Sequence, residues 1–147
     1  MRVFVAGYKG KGFGGRAITW FTFGEYSHVS LVFENSGSLI EIESIQGKGV
    51  HAQPFDAGGE CDLFEVQATP GQIERIHAAA AELVGRKYDW TGIWGFMRRR
   101  KRENPKKWFC SELVAHCLLR AGIEIQRMPP WKQSPVIVCA STVLKPQ

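Results

Sequence analysis

The chain opens on "RVFVA" at 2–6, an apolar stretch with enough alternation for a strand. The glycine-rich "GYKGKGFGG" follows and leads into "RAITWFTF", a short helix or extended segment. Alternation is clearest in "HVSLVFE" at 28–34 and "LIEIESI" at 39–45, and the intervening "NSGS" has turn chemistry, so the two predict a hairpin. "CDLFEVQ" at 61–67 predicts a further strand that ends before Thr69-Pro70. The period then changes. Ile73, Ile76, Ala80, Leu83 and Val84 fall on one face of a helix that Pro70 opens and Gly85 closes. Leu113, Val114, Cys117, Leu118 and Ala121 mark the inner face of a second helix over about 111–121, stopped by Gly122. "SPVIVCAST" at 134–142 predicts a last short strand. Read together, the pattern is α+β: an antiparallel sheet with helices packed against it.

Composition narrows the picture. At 147 residues and 44% hydrophobic, the chain is long enough for one sizeable core and too short for two ordinary domains, so a single domain over 1–147 is expected. No stretch reaches the roughly 18 apolar residues of a membrane span, and "MRVFVAGYKG" supplies no secretory apolar segment, so a cytoplasmic protein is expected. Cys61, Cys110, Cys117 and Cys139 then read as reduced thiols. There is no Cys-x-x-Cys and no His-x-x-x-His, so neither a metal nor another cofactor is called for. The net charge is +5, much of it from Arg98, Arg99, Arg100, Lys101 and Arg102. That run is either a solvated loop or an attraction for phosphate, lipid head groups or another anionic polymer, with no specific nucleic acid implied.

Gly10, Gly12 and Gly15 satisfy G-x-G-x-x-G behind a strand, and Glu34 ends the next strand where a ribose-binding acid would stand. A dinucleotide fold, however, needs a crossover helix to a parallel strand. Here the second strand folds back through a tight turn, so the glycines read as a flexible loop able to approach a ligand or cover a cleft.

Cys110, in "WFCSEL", stands at the start of the second helix. Unpaired backbone N–H groups there favour the thiolate, the reactive form, and can also receive a developing oxyanion. A cysteine nucleophile wants a histidine base. His77 and His116 lie within helices and His51 in a connecting segment beyond the hairpin; His28 instead starts an apolar strand. A hairpin turn centred on Ser36 and Gly37 pairs Ser30 with Glu43, which makes Glu43 a diagonal, same-face neighbour of His28. Its carboxylate is placed to orient the imidazole, with Glu41 as reserve; a slip of one residue would remove both.

"YSHVSLVFENSGSLIEIES", "GRKYDWTGIWGF" and "WFCSELVAHCLLRAG" together resemble the circularly permuted branch of the NlpC/P60 cysteine hydrolases, the YiiX/YebB-like group, over roughly residues 16–125. The resemblance implies a papain-like α+β fold, an antiparallel sheet or half-barrel packed against helices. In it Cys110 is nucleophile, His28 general base and Glu43 the orienting residue, and His28 precedes Cys110 in the permuted order. Tyr26, Tyr88 and Trp108 become candidate substrate contacts, with Tyr88 and Asp89 also readable as loop scaffolding. The expected reaction is thiol hydrolysis of an amide or ester, on a cell-wall peptide or a lipid acyl group, without a cofactor. Short relatives of this shape are frequent in phage genomes, which suggests a phage or bacterial source and delivery to the envelope. Two rivals stand beside it. An acyltransferase of the lecithin:retinol type would carry a second histidine where Glu43 stands. A non-catalytic, phage-associated binding module would use the basic loop with Trp90, Trp94, Trp108 and Trp131.

Overall fold

A computed structural model of the chain describes residues 1–9, 25–56, 61–88 and 107–147. Its strands are β1 (Arg2–Lys9), β2 (Tyr26–Asn35), β3 (Ser38–Ile45), β4 (Gly49–Pro54), β5 (Cys61–Val66), the two-residue β6 (Lys87–Tyr88) and β7 (Lys107–Trp108), and β8 (Leu144–Pro146). Six of them form one antiparallel sheet in the order β4-β3-β2-β1-β5-β8, while β6 and β7 pair in parallel. The helices are α1 (Pro70–Leu83), α2 (Cys110–Arg120) and the short α3 (Pro135–Cys139). The class is therefore α+β with an open sheet, as the sequence predicts.

β1 lies between β2 and β5, antiparallel to both. That arrangement leaves no parallel strand beside it for a dinucleotide crossover, and Glu34 instead forms an ion pair with Arg2 at 2.6 Å. Gly10, Gly12 and Gly15 lie outside the described residues. A central strand is covered on both faces, which explains why β1 is apolar without strict alternation. Val3 and Val5 join the main core with Val29, Leu31, Phe33 and Ile42, and Phe4 and Ala6 form a smaller cluster with Val32 on the other face.

α1 starts at the predicted proline. Thr69 caps it reciprocally with Gln72, each side chain bonding the other's backbone N–H at 3.3 and 2.9 Å. Ile73, Ile76, Ala79, Ala80 and Leu83 are buried, whereas Val84, placed on the inner face by periodicity, is the C-cap and is exposed. α2 buries the expected Leu113, Val114, Cys117 and Leu118 and packs on β2, β3 and α1. Gly122, at φ +78°, ends it.

Two expectations are corrected. "SPVIVCAST" is not a strand: Ser134 accepts the Ile137 N–H at 3.3 Å and Pro135 occupies the first helical position, so the segment turns into α3. The segment holding His51 is not a connection either. It is β4, paired with β3 so that Glu43 faces His51 and Glu41 faces Gln53.

Candidate active site

The hairpin register is the expected one. Leu31 pairs with Ile42 and Asn35 with Ser38, around a turn whose residues Ser36 and Gly37 take φ +50° and +85°. On its other side β2 is irregular: Tyr8 faces His28 and Lys9 faces Tyr26, so Ser27 is an extra residue in the pairing. Such bulges re-aim side chains. At this point of β2 His28 places Nε2 2.7 Å from Glu43 Oε2, across the hairpin diagonal. Glu43 is a buried carboxylate, so the imidazole donates Nε2–H and keeps Nδ1 for a second partner.

Cys110 lies near enough to act on the same ring through its charge and side chain. The cysteine is the first residue of α2, and the helix entry is fastened from three directions. Glu112 reaches back to the Phe109 N–H at 3.3 Å. Ser44 Oγ donates to the Trp108 carbonyl at 2.7 Å, tying the entry to β3, and Ser111 Oγ donates to the Gln133 carbonyl at 2.5 Å. The first N–H groups of a helix have no partner within it, and Cys110 stands in that first turn.

Exposure does not separate Cys110 from the other thiols, because Cys110 is 1% exposed and Cys117 0%. Their surroundings do. Burial pushes the Cys117 and Cys139 thiols up to about 12, and it is also the main cause that raises Cys61. Cys110 instead faces an imidazole. Burial alone would lower the value of His28, but the Cys110 charge and hydrogen bond, and then Glu43, raise it to about 10. For Glu43, burial acts upward and is outweighed by the hydrogen bond and charge of His28, followed by His51 and Lys48, leaving the carboxyl below its usual range. The Cys110 thiol, the His28 imidazole and the Glu43 carboxylate thus lie together, with His28 bonded to Glu43.

The remaining predicted residues divide. Tyr26 is half-buried, donates to Asp62 at 2.6 Å and packs edge-on against Phe64 at 5.9 Å. Tyr88 sets its ring against Phe109 at 6.2 Å, just before the cysteine. Trp108 is a core side chain, 7% exposed, packed on His116 at 4.7 Å. Glu41 does not serve His28 directly; it binds Tyr8 and Ser30 at 2.5 Å each. His77 meets Phe33 edge-on at 5.0 Å. Asp89, Trp90, Trp94 and the basic residues Arg98, Arg99, Arg100, Lys101 and Arg102 lie outside the described residues.

Sequence reasoning missed three neighbours of His28 and Glu43. Gln53 donates to Glu43 Oε1 at 2.9 Å, His51 Nε2 stands 3.4 Å from the same oxygen, and the Tyr8 ring lies 5.4 Å from the His28 ring. The alternation of His51 and Gln53 in "GVHAQP" was the available signal.

No protein-family model and no curated sequence matches the chain. Among solved structures, the crystal structure of the metalloprotein YiiX from Escherichia coli O157:H7 aligns with 100% of this chain and 96% of that chain, with a TM-score of 0.79 and 17% sequence identity. The fold is YiiX-like. Among the described residues, no helix is long and apolar enough to cross a membrane.

Proposed function

We propose that this protein is a thiol hydrolase of the circularly permuted NlpC/P60 type, with a papain-like catalytic arrangement. The observation that carries the reading is His28, held between the Cys110 thiol and the Glu43 carboxylate. His28 Nδ1 takes the proton from Cys110 Sγ, and the thiolate attacks the carbonyl of an amide or ester. Backbone N–H groups at the start of α2 receive the oxyanion. Collapse of the tetrahedral intermediate expels the amine or alcohol, which leaves with the proton from His28. Water, deprotonated by His28, then attacks the thioester carbonyl and releases the acid and the free thiol. Glu43 stays ionised and stabilises the imidazolium throughout.

The substrate class proposed is a cell-wall peptide or a lipid acyl group, which places the protein's work at a bacterial envelope. The glutamate at position 43 favours hydrolysis over the acyltransferase reading, which calls for histidine there. YiiX is a metalloprotein. Among the described residues of this chain, no group of three His, Cys, Asp or Glu is placed to hold a metal ion. The carboxylate oxygens of Glu43 are already taken by His28 and Gln53, so no step here is routed through a metal.

Incubation with cell-wall fragments and, separately, with lipid extracts tests this by intact-mass and peptide analysis. The expected result is an acyl adduct on Cys110 from one of the two, whose mass names the bond, and which is absent from Cys110→Ser. A Cys110 that acquires no adduct from either overturns the reading.

A further inference from the structure

Glu41 and Glu43 stand two residues apart on β3, both buried, and only Glu43 bonds His28. Burying a second carboxylate beside the first is unfavourable on two counts, desolvation and like charge, and an apolar residue would serve stability better. What Glu41 binds gives it another role. Its Oε1 accepts from the Tyr8 hydroxyl and from Ser30, each at 2.5 Å, and its Oε2 accepts from Gln53 Nε2 at 3.1 Å.

Two of these partners lead back to the same imidazole. The Tyr8 ring lies against the His28 ring, with centroids 5.4 Å apart and planes at 41°. Gln53 uses the one Nε2 for Glu41 and, at 2.9 Å, for Glu43 Oε1, while the other oxygen of Glu43 holds His28 Nε2. An amide nitrogen carries two hydrogens, so each carboxylate takes one, and a flipped Gln53 would aim its oxygen at two carboxylates. We infer that Glu41 is the positioning residue of the site, holding the face of His28 through Tyr8 and its edge through Gln53 and Glu43. The inference rests on the hydrolase reading, in which His28 must meet Cys110 at one angle.

The charged surroundings are defined. His28 faces Tyr8 from β1, Glu43 from β3 and Cys110 from α2; Glu43 also feels His51 and Lys48, and Glu41 acts on Cys61 from β5. The test is the rate of Cys110 alkylation by iodoacetamide, resolved by peptide mass analysis and followed from acid to mildly alkaline pH. Variants are Tyr8→Phe, Gln53→Leu and Glu41→Leu, with His28→Ala as reference. Outer groups that orient a working histidine are worth about tenfold or more. Tyr8→Phe and Gln53→Leu should each slow Cys110 by about that factor and displace its pH profile, and Glu41→Leu should combine both losses. Should Glu41→Leu fail to fold, the two single variants at half-buried positions carry the test. If both fold with a lowered melting temperature yet keep the parent's Cys110 rate and pH profile, Glu41 is structural and the inference falls. If His28→Ala itself leaves the Cys110 rate unchanged, the hydrolase reading falls instead.

Discussion

His28 and Glu43 meet diagonally across the β2–β3 hairpin, Nε2 to Oε2 at 2.7 Å, in the register that pairs Leu31 with Ile42. Because side chains alternate along a strand, a slip of one residue would present Ile42 or Ser44 to the imidazole and turn both glutamates towards the other face. The two turn residues with positive φ, Ser36 and Gly37, therefore help to fix the chemistry from the far end of the hairpin.

Thiol reactivity reads this arrangement directly. Near neutral pH, iodoacetamide should modify Cys110 well ahead of Cys117 and Cys139, whose burial pushes them up to about 12. His28→Ala should slow the modification by about a hundredfold, in the range of a positioned acid–base partner. Mass mapping of the four cysteine peptides over time checks this, and four equally sluggish thiols would contradict it.

The pH dependence of stability follows from the same pair. His28 is raised from 6.5 to about 10, so its contribution is complete below pH 6.5 and fades as pH climbs through 10. Glu43 is held below 4.5, so its contribution is present above that value and fades as pH falls further. Both act together between 4.5 and 6.5. The melting temperature of the parent minus that of His28→Gln should be largest in this window and shrink towards pH 10; a difference that grows with pH would show the opposite linkage.

Ser44→Ala removes the donor that holds the Trp108 carbonyl at the entry of α2. A buried acceptor left unpaired costs about 1–3 kcal/mol. Urea unfolding should show a loss of that size, and Cys110 alkylation in the folded variant should slow as the helix start loosens.

Gly49 begins β4 at φ +74°, and a Cβ there would run into the Arg86 backbone carbonyl. Gly49→Ala should destabilise the protein by at least the roughly 1–2 kcal/mol of a left-handed residue. Calorimetry checks the loss. Because β4 carries His51 and Gln53, the Cys110 alkylation rate should fall with it.

Where local chemistry and packing agree, the fold could be read in advance. The hairpin register followed from one tight turn, and α1 from Thr69, Pro70 and Gln72. "SPVIVCAST" misled because five helical residues are too few to show a 3.6-residue period, so the β-branched Val136, Ile137 and Val138 looked like a strand. β4 was missed because its residues are mostly small or polar: Val50 is its one large apolar side chain, and His51 and Gln53 face the buried carboxylates instead. Cys110, His28 and Glu43 were legible since each has a local signature, a helix start, a strand start and a hairpin diagonal. The roles of Tyr8, Ser30 and Gln53 arise from contacts between strands and leave no such mark.

Cys110 and His28 come from opposite halves of the chain, joined only when α2 docks on β2 and β3. Contacts between such distant segments carry the full loop-closure entropy and belong to the late, topology-limited part of folding. A nascent or misassembled chain can complete the β2–β3 hairpin, with its histidine and glutamate in register, and still possess nothing but ordinary thiols. On the proposed reading, a fast-alkylating Cys110 marks finished folding, and in a refolding experiment it should emerge in step with native structure.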